Sequence, residues 1–122
     1  MTTAVIQFNT PGMGIISSGT VYNLSNQVPD DVTIAWNAPD TSAKTMTLPA
    51  PSLMVVPNRI FIKDKIGNAG TYNITLTITG AGTIEGASSF VMNLNNQCLV
   101  LENDGSGNYV YTWTTNGSIH FI

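Results

Sequence analysis

Charge is what this sequence has least of. Only 9% of its 122 residues are Asp, Glu, Lys or Arg, giving a formal net charge of -3. The basic residues are Lys44, Arg59, Lys63 and Lys65, too few and too well balanced by acids to form a stripe along a phosphate backbone, so direct nucleic-acid binding is not expected. Cysteine is nearly as scarce. The single Cys98 excludes an intrachain disulfide framework and any thiolate cluster for zinc, and is expected to be a small buried core thiol. Long apolar runs are missing as well. None approaches the ~18 residues that span a bilayer, and no basic segment leads into an apolar one at the start, so no membrane association and synthesis in a cytoplasm are expected. Helical periodicity with caps is absent throughout.

What the sequence has instead is threonine, asparagine, serine and glycine arranged with period two. In residues 71–79, Tyr72, Ile74, Leu76 and Ile78 alternate with Thr71, Asn73, Thr75, Thr77 and Thr79, which predicts a half-buried strand with one apolar and one threonine-lined face. The same alternation marks Val32, Ile34 and Trp36, then Met46 and Leu48, then Ile60 and Ile62. Phe90, Met92 and Leu94 line one face of a further strand. Pro49-Ala50-Pro51 lacks the donors a central strand needs and reads as an edge or exposed connection. Residues 64–70 and 104–107 read as turns, and Asn95-Asn96 as a two-residue primed hairpin turn whose partner strand is residues 97–102.

These segments predict one all-β domain over residues 21–122, a small antiparallel sandwich or barrel. Residues 1–20 read as an extended N-terminal arm, with Ile15 and Ile16 as apolar anchors that gain order on a neighbouring subunit. A surface so poor in charge implies cover by further copies of the chain or by a larger assembly.

Candidate chemistry is thin. Asp30, Asp31, Asp40, Asp64 and Asp104 fall in predicted turns, where aspartate bonds to nearby backbone. His120 stands alone in an apolar run, with no thiolate or carboxylate spacing for zinc and no G-x-S-x-G to partner. The glycines at 67–70 and 80–82 open no helix and precede no phosphate-binding lysine, and the turn at 104–107 offers one carboxylate where calcium takes six or more oxygens. No catalytic residue, metal or cofactor is therefore expected. Tyr109, Tyr111 and Trp113 form an aromatic row that either packs a sheet or subunit face or presents flat rings to a sugar or a protein partner.

Four motifs in residues 59–111 carry a resemblance. They are Ile62-Lys63-Asp64-Lys65-Ile66-Gly67-Asn68-Ala69, the alternating residues 74–79, Ile84-Glu85-Gly86, and Asn103-Asp104-Gly105 followed by Tyr109. Together they resemble a β-rich module of tailed-bacteriophage virion proteins, found in tail-fibre and spike proteins and in small capsid-associated proteins. Asn103 stands where the module usually has serine, Tyr109 where it more often has tryptophan, and Asn95-Asn96-Gln97 replaces a segment often carrying tyrosine and glycine.

The resemblance implies a virion component, commonly a trimer, whose motif residues belong to turns and carry no catalysis. The chain starts with Met1 and shows no long tail-adaptor region, so the expectation is a capsid decoration (cement) protein. It would bind the major capsid protein on the virion surface after synthesis in the host cytoplasm. The alternative expectation is a short tail fibre or spike tip that binds a host receptor or glycan. Ile15, Ile16, Tyr109, Tyr111 and Trp113 are the candidate partner-binding residues.

Overall fold

The period-two alternation becomes eleven strands in a computed structural model that describes residues 5–10, 13–24, 31–39, 41–53 and 59–115. They are β1 (Val5–Thr10), β2 (Met13–Ser18), β3 (Val21–Asn23), β4 (Asp31–Trp36), β5 (Lys44–Leu48) and β6 (Arg59–Asp64). After these come β7 (Ile74–Ile78), β8 (Thr83–Ile84), β9 (Ser89–Met92), β10 (Cys98–Asn103) and β11 (Asn108–Thr115). A short 3-10 turn at Pro51–Leu53 follows the proline pair, whose residues cannot extend β5.

Space does not follow sequence order. One sheet runs β1-β2-β4-β6-β10-β11-β8 and the other β3-β5-β7-β9. From β2 to β7 the chain changes sheet at every strand, and each strand pairs in parallel with the one two places earlier in the same sheet. Parallel neighbours need a crossover that returns the chain to the same end. Here the crossover is a strand of the facing sheet, so the chain winds around its own core. The remaining pairs are β1 with β2, β7 with β9, β6 with β10 and β10 with β11, all antiparallel, and β8 with β11, parallel.

Three expectations are corrected by this arrangement. The antiparallel body is instead a pair of mixed sheets. Among the described residues, the N-terminal segment expected as an extended arm is a hairpin of β1 and β2, with β2 paired to β4 and Ile16 opposite Trp36. Ile16 is 0% exposed, and burying that side chain favours docking the hairpin over leaving it free. Asn95-Asn96 joins strands of different sheets and forms no hairpin; of its two residues only Asn96 has positive φ.

The core lies between the sheets. Val32, Ile34, Trp36, Ile60, Ile62, Leu99 and Leu101 face it from the larger sheet, and Met46, Leu48, Ile74, Leu76 and Met92 from the smaller, all fully buried. The burial alternation on β5 puts Lys44, Met46 and Leu48 inward and Thr45 and Thr47 outward. The β7 partners Thr75 and Thr77 continue that outer face. Burying each aliphatic side chain contributes roughly 1.5–3 kcal/mol. Among the described residues, one polar side-chain atom goes against the pattern: the Trp36 indole N–H is buried with no hydrogen-bond partner.

Glycines differ in what their corners demand. Gly82 has φ +138, and a Cβ there would meet Cδ of Pro51 at 2.5 Å, whereas Gly80, at φ +81, faces open space. Gly80→Ala should therefore cost only the left-handed strain of ~1–2 kcal/mol. Gly82→Ala should lose a further ~1–3 kcal/mol by overpacking, measured as urea midpoints of the two variants.

Candidate functional site

Among the described residues, a dense set of polar contacts surrounds Asp64, the last residue of β6, which is 0% exposed. A buried carboxylate is costly unless hydrogen bonds replace its water. Its Oδ1 accepts the Gly67 N–H at 3.2 Å, and its Oδ2 accepts the N–H groups of Ala69 and Asn96, both at 2.9 Å. The carboxylate thus gathers the loop after β6 and the turn before β10.

Further bonds close the same corner. Lys65 N–H and Ile66 N–H both donate to the Trp36 carbonyl, at 2.9 and 3.0 Å, which ties the loop to the end of β4. Gly70 N–H donates to Asn95 Oδ1 at 2.8 Å, and Lys63 Nζ to the Asn96 carbonyl at 2.6 Å. Gly67 has φ +84, and a Cβ there would come within 2.7 Å of Asn96 Oδ1, so this close approach of loop and turn needs glycine. The turn is stiffened by Gln97, whose buried Oε1 accepts the Asn93 and Leu94 N–H groups at 3.0 and 3.3 Å. Lys44, 1% exposed, reaches the loop from β5 and donates from Nζ to Asn68 Oδ1 at 3.0 Å.

A second cluster joins the β10–β11 hairpin to the proline segment. Tyr109 donates its phenol O–H to the Pro49 carbonyl at 2.9 Å, and Asn103 Nδ2 donates to the Pro51 carbonyl at 2.6 Å. Burial pushes the Tyr109 phenol well above its ordinary range. In the exposed turn, Asp104 Oδ1 accepts the Ser106 and Asn108 N–H groups at 2.8 and 3.2 Å. Its carboxyl is held below the usual range, chiefly by the Ser106 bond. The Asn108 Oδ1 accepts from Thr83 Oγ1 at 2.6 Å and from Gly86 N–H at 3.1 Å, fixing the turn that follows β8.

In both clusters the carboxylates accept backbone N–H groups. Asp64 and Asp104 play the turn role expected of them. Among the described residues, no three His, Cys, Asp or Glu side chains group to hold a metal ion, and no helix is long and apolar enough to cross a membrane. Cys98 is a free, buried thiol whose pKa is raised, first of all by burial.

Two of the sequence-predicted partner-binding residues lie in the interior. Ile16 and Tyr109 are both 0% exposed and belong to the core. Ile15 is half-buried on β2, opposite Gln7 and Ala35. Tyr111 and Trp113 lie on β11, opposite Leu101 and Val100. A register shift falls between those two β10 residues. The side chains of Tyr111 and Trp113, and the whole of Asp30, Asp40 and His120, lie outside the described residues.

What sequence reasoning missed is Lys44, which occupies an inward position in line with Met46 and Leu48. Its place in the alternation of β5 was a usable signal. Neither a protein-family profile nor a curated protein sequence matches the chain.

Replacing Asp64 with Ala leaves three N–H groups in this corner without their acceptor. It should cost ~3–5 kcal/mol in urea unfolding, and Asp64→Asn, which keeps one acceptor oxygen, should cost less. The Tyr109 phenol predicts an alkaline limit. Its pKa is raised in the folded state, so it contributes stability that is fully present below the unfolded value, ~10, and is lost as pH rises above it. Urea midpoints should fall from about pH 10 upward, with a shallower slope in Tyr109→Phe.

Proposed function

We propose that this chain is a structural component of a bacteriophage particle, a capsid decoration protein that assembles as a trimer and holds neighbouring capsid subunits together. The observation that carries the reading is the outer face of the smaller sheet. Its outward positions are Val21 and Asn23 on β3, Thr45 and Thr47 on β5, Thr75 and Thr77 on β7, and Ser89 and Val91 on β9. None is charged. The Thr47 and Thr77 hydroxyls lie 3.2 Å apart across the β5–β7 pair, and Val91 is 41% exposed.

A face of short, uncharged side chains suits contact with other protein, because interface centres are depleted in charge and short side chains lose little entropy on docking. Symmetry then multiplies weak single contacts into avidity. The phage-module motifs support the same reading. In this fold their residues build corners: Asp64 and Asn68 in one, Asn103 and Asp104 in another.

The mechanism is adhesion, with no chemical step. An uncompensated charge on the face would oppose it, since a lysine buried at a contact must be desolvated. Thr47→Lys and Thr75→Lys are outward substitutions that should leave the unfolding midpoint nearly unchanged. They should lower the mass in solution from trimer to monomer, or reduce occupancy on reconstituted capsids at least ~10-fold. Wild-type mass and wild-type occupancy in both variants would sink the reading. Gold labelling confined to tails of purified particles would favour a fibre or spike tip.

A further inference from the structure

The smaller sheet ends at β9, and the hydrogen bonding of its neighbours fixes which way that strand's backbone groups point. Between β5 and β7, Lys44 N–H donates to the Asn73 carbonyl and Thr79 N–H to the Leu48 carbonyl, both at 2.8 Å. The odd-numbered residues of β7 therefore turn their N–H and C=O groups to β5, which leaves those of Ile74 and Leu76 for β9. Their partners there are Met92 and Phe90. The N–H and C=O groups of Ser89 and Val91 consequently point away from β7, to the outer rim of the sheet.

That rim is closed inside the chain at both ends. Ala87 and Ile84 exchange both backbone hydrogen bonds, at 2.7 and 2.9 Å, and the chain bends at Ser88. Beyond Val91, the Asn93 N–H donates to Gln97 Oε1 at 3.0 Å. Between these two closures Ser89 and Val91 are exposed, and among the described residues no strand pairs with them on this side. A sheet edge is usually guarded by charged side chains or proline. Residues 87–97 contain neither.

We propose that β9 adds to the β9 of a second copy, the two strands running antiparallel about a twofold axis at Phe90. In this register Ser89 of each copy lies opposite Val91 of the other. Each of the two pairs exchanges two hydrogen bonds, so four form and the outward groups of both residues are all used. Charge selects this occupant. A twofold axis sets a strand against itself, so a lysine or an acid beside the axis would oppose its own like charge, and this segment brings none.

The pairing joins two four-stranded sheets into one continuous sheet. A ladder this short buries little area, so the association is weak and depends on concentration. It is made at the rim and not on the outer face, so it stands apart from the particle reading.

Mixed cysteine variants test the register. Ser89→Cys and Val91→Cys chains are prepared separately, mixed in equal amounts and oxidised in air, and the dimers are told apart by intact mass. Both positions are exposed, and the parent chain, whose Cys98 is buried, sets the background. Opposed residues of such a pair lie within disulfide reach. Mixed dimers should outnumber like dimers at least ~10-fold, where random collision makes the two equal. A ratio near one, or no dimer above the parent's background, overturns the proposal. Val91→Pro supplies a second measurement, because it removes a donor that β7 does not use. In sedimentation the wild-type mass should double as concentration rises, and the Val91→Pro mass should not. A wild-type mass independent of concentration, or a doubling that survives in Val91→Pro, overturns the proposal and leaves the rim to another occupant.

Discussion

The bonding of one buried carboxylate underlies the arrangement of the whole molecule. Asp64 ends the strand that sits between β4 and β10 in the larger sheet, and its two oxygens satisfy backbone N–H groups from two separate connections. One of those connections carries the chain to β7 in the smaller sheet, and the other brings it back from β9. A hydrophobic core can hold two sheets face to face, but it is nearly indifferent to how their ends are joined. Hydrogen bonds to a desolvated charge are directional and costly to lose, so they choose among connections that the core alone leaves nearly equivalent.

Around that corner the polar and apolar forces divide the work. Inward positions on β4 to β7 are almost purely aliphatic, with Trp36 the largest group among them. At the ends of the sandwich, Asn, Gln and Asp side chains take over from the ladder hydrogen bonds that the strands stop making. Tyr109 and Asn103 do for the proline segment what Asp64 does for the opposite connection, donating to carbonyls that no strand partner reaches. The exterior carries few charges because the sequence has few, and among the described residues Lys44 and Asp64 are buried.

Strand positions and faces were legible in the sequence, since β4, β5, β6 and β7 all follow the alternation of their side chains. Pairing was not. Alternation tells which residues point inward but carries no record of the neighbouring strand or its direction, and a parallel partner two strands away leaves no local mark. That is why residues 95–96 read as a hairpin, and why the β1–β2 hairpin read as an extended arm. Tyr109, the first of the aromatic row, fits the alternation as core. Of the Asp64 corner, the turn was legible; the approach of Lys44 to Asn68 depends on the winding and could not be read locally.

The place of β10 has a consequence for the order in which the protein can be made. It inserts between β6 and β11, so the edge of β6 that it covers stays open until the last third of the chain has left the ribosome. Through that interval the growing chain presents Ile60 and Ile62 on a strand with unpaired N–H and C=O groups, the kind of edge that recruits strands from other chains. The β1-β2-β4-β6 side of the larger sheet can close early, but its β10-β11-β8 side is completed last. Crowding of nascent chains on one messenger is therefore the condition under which this fold is most exposed to mispairing.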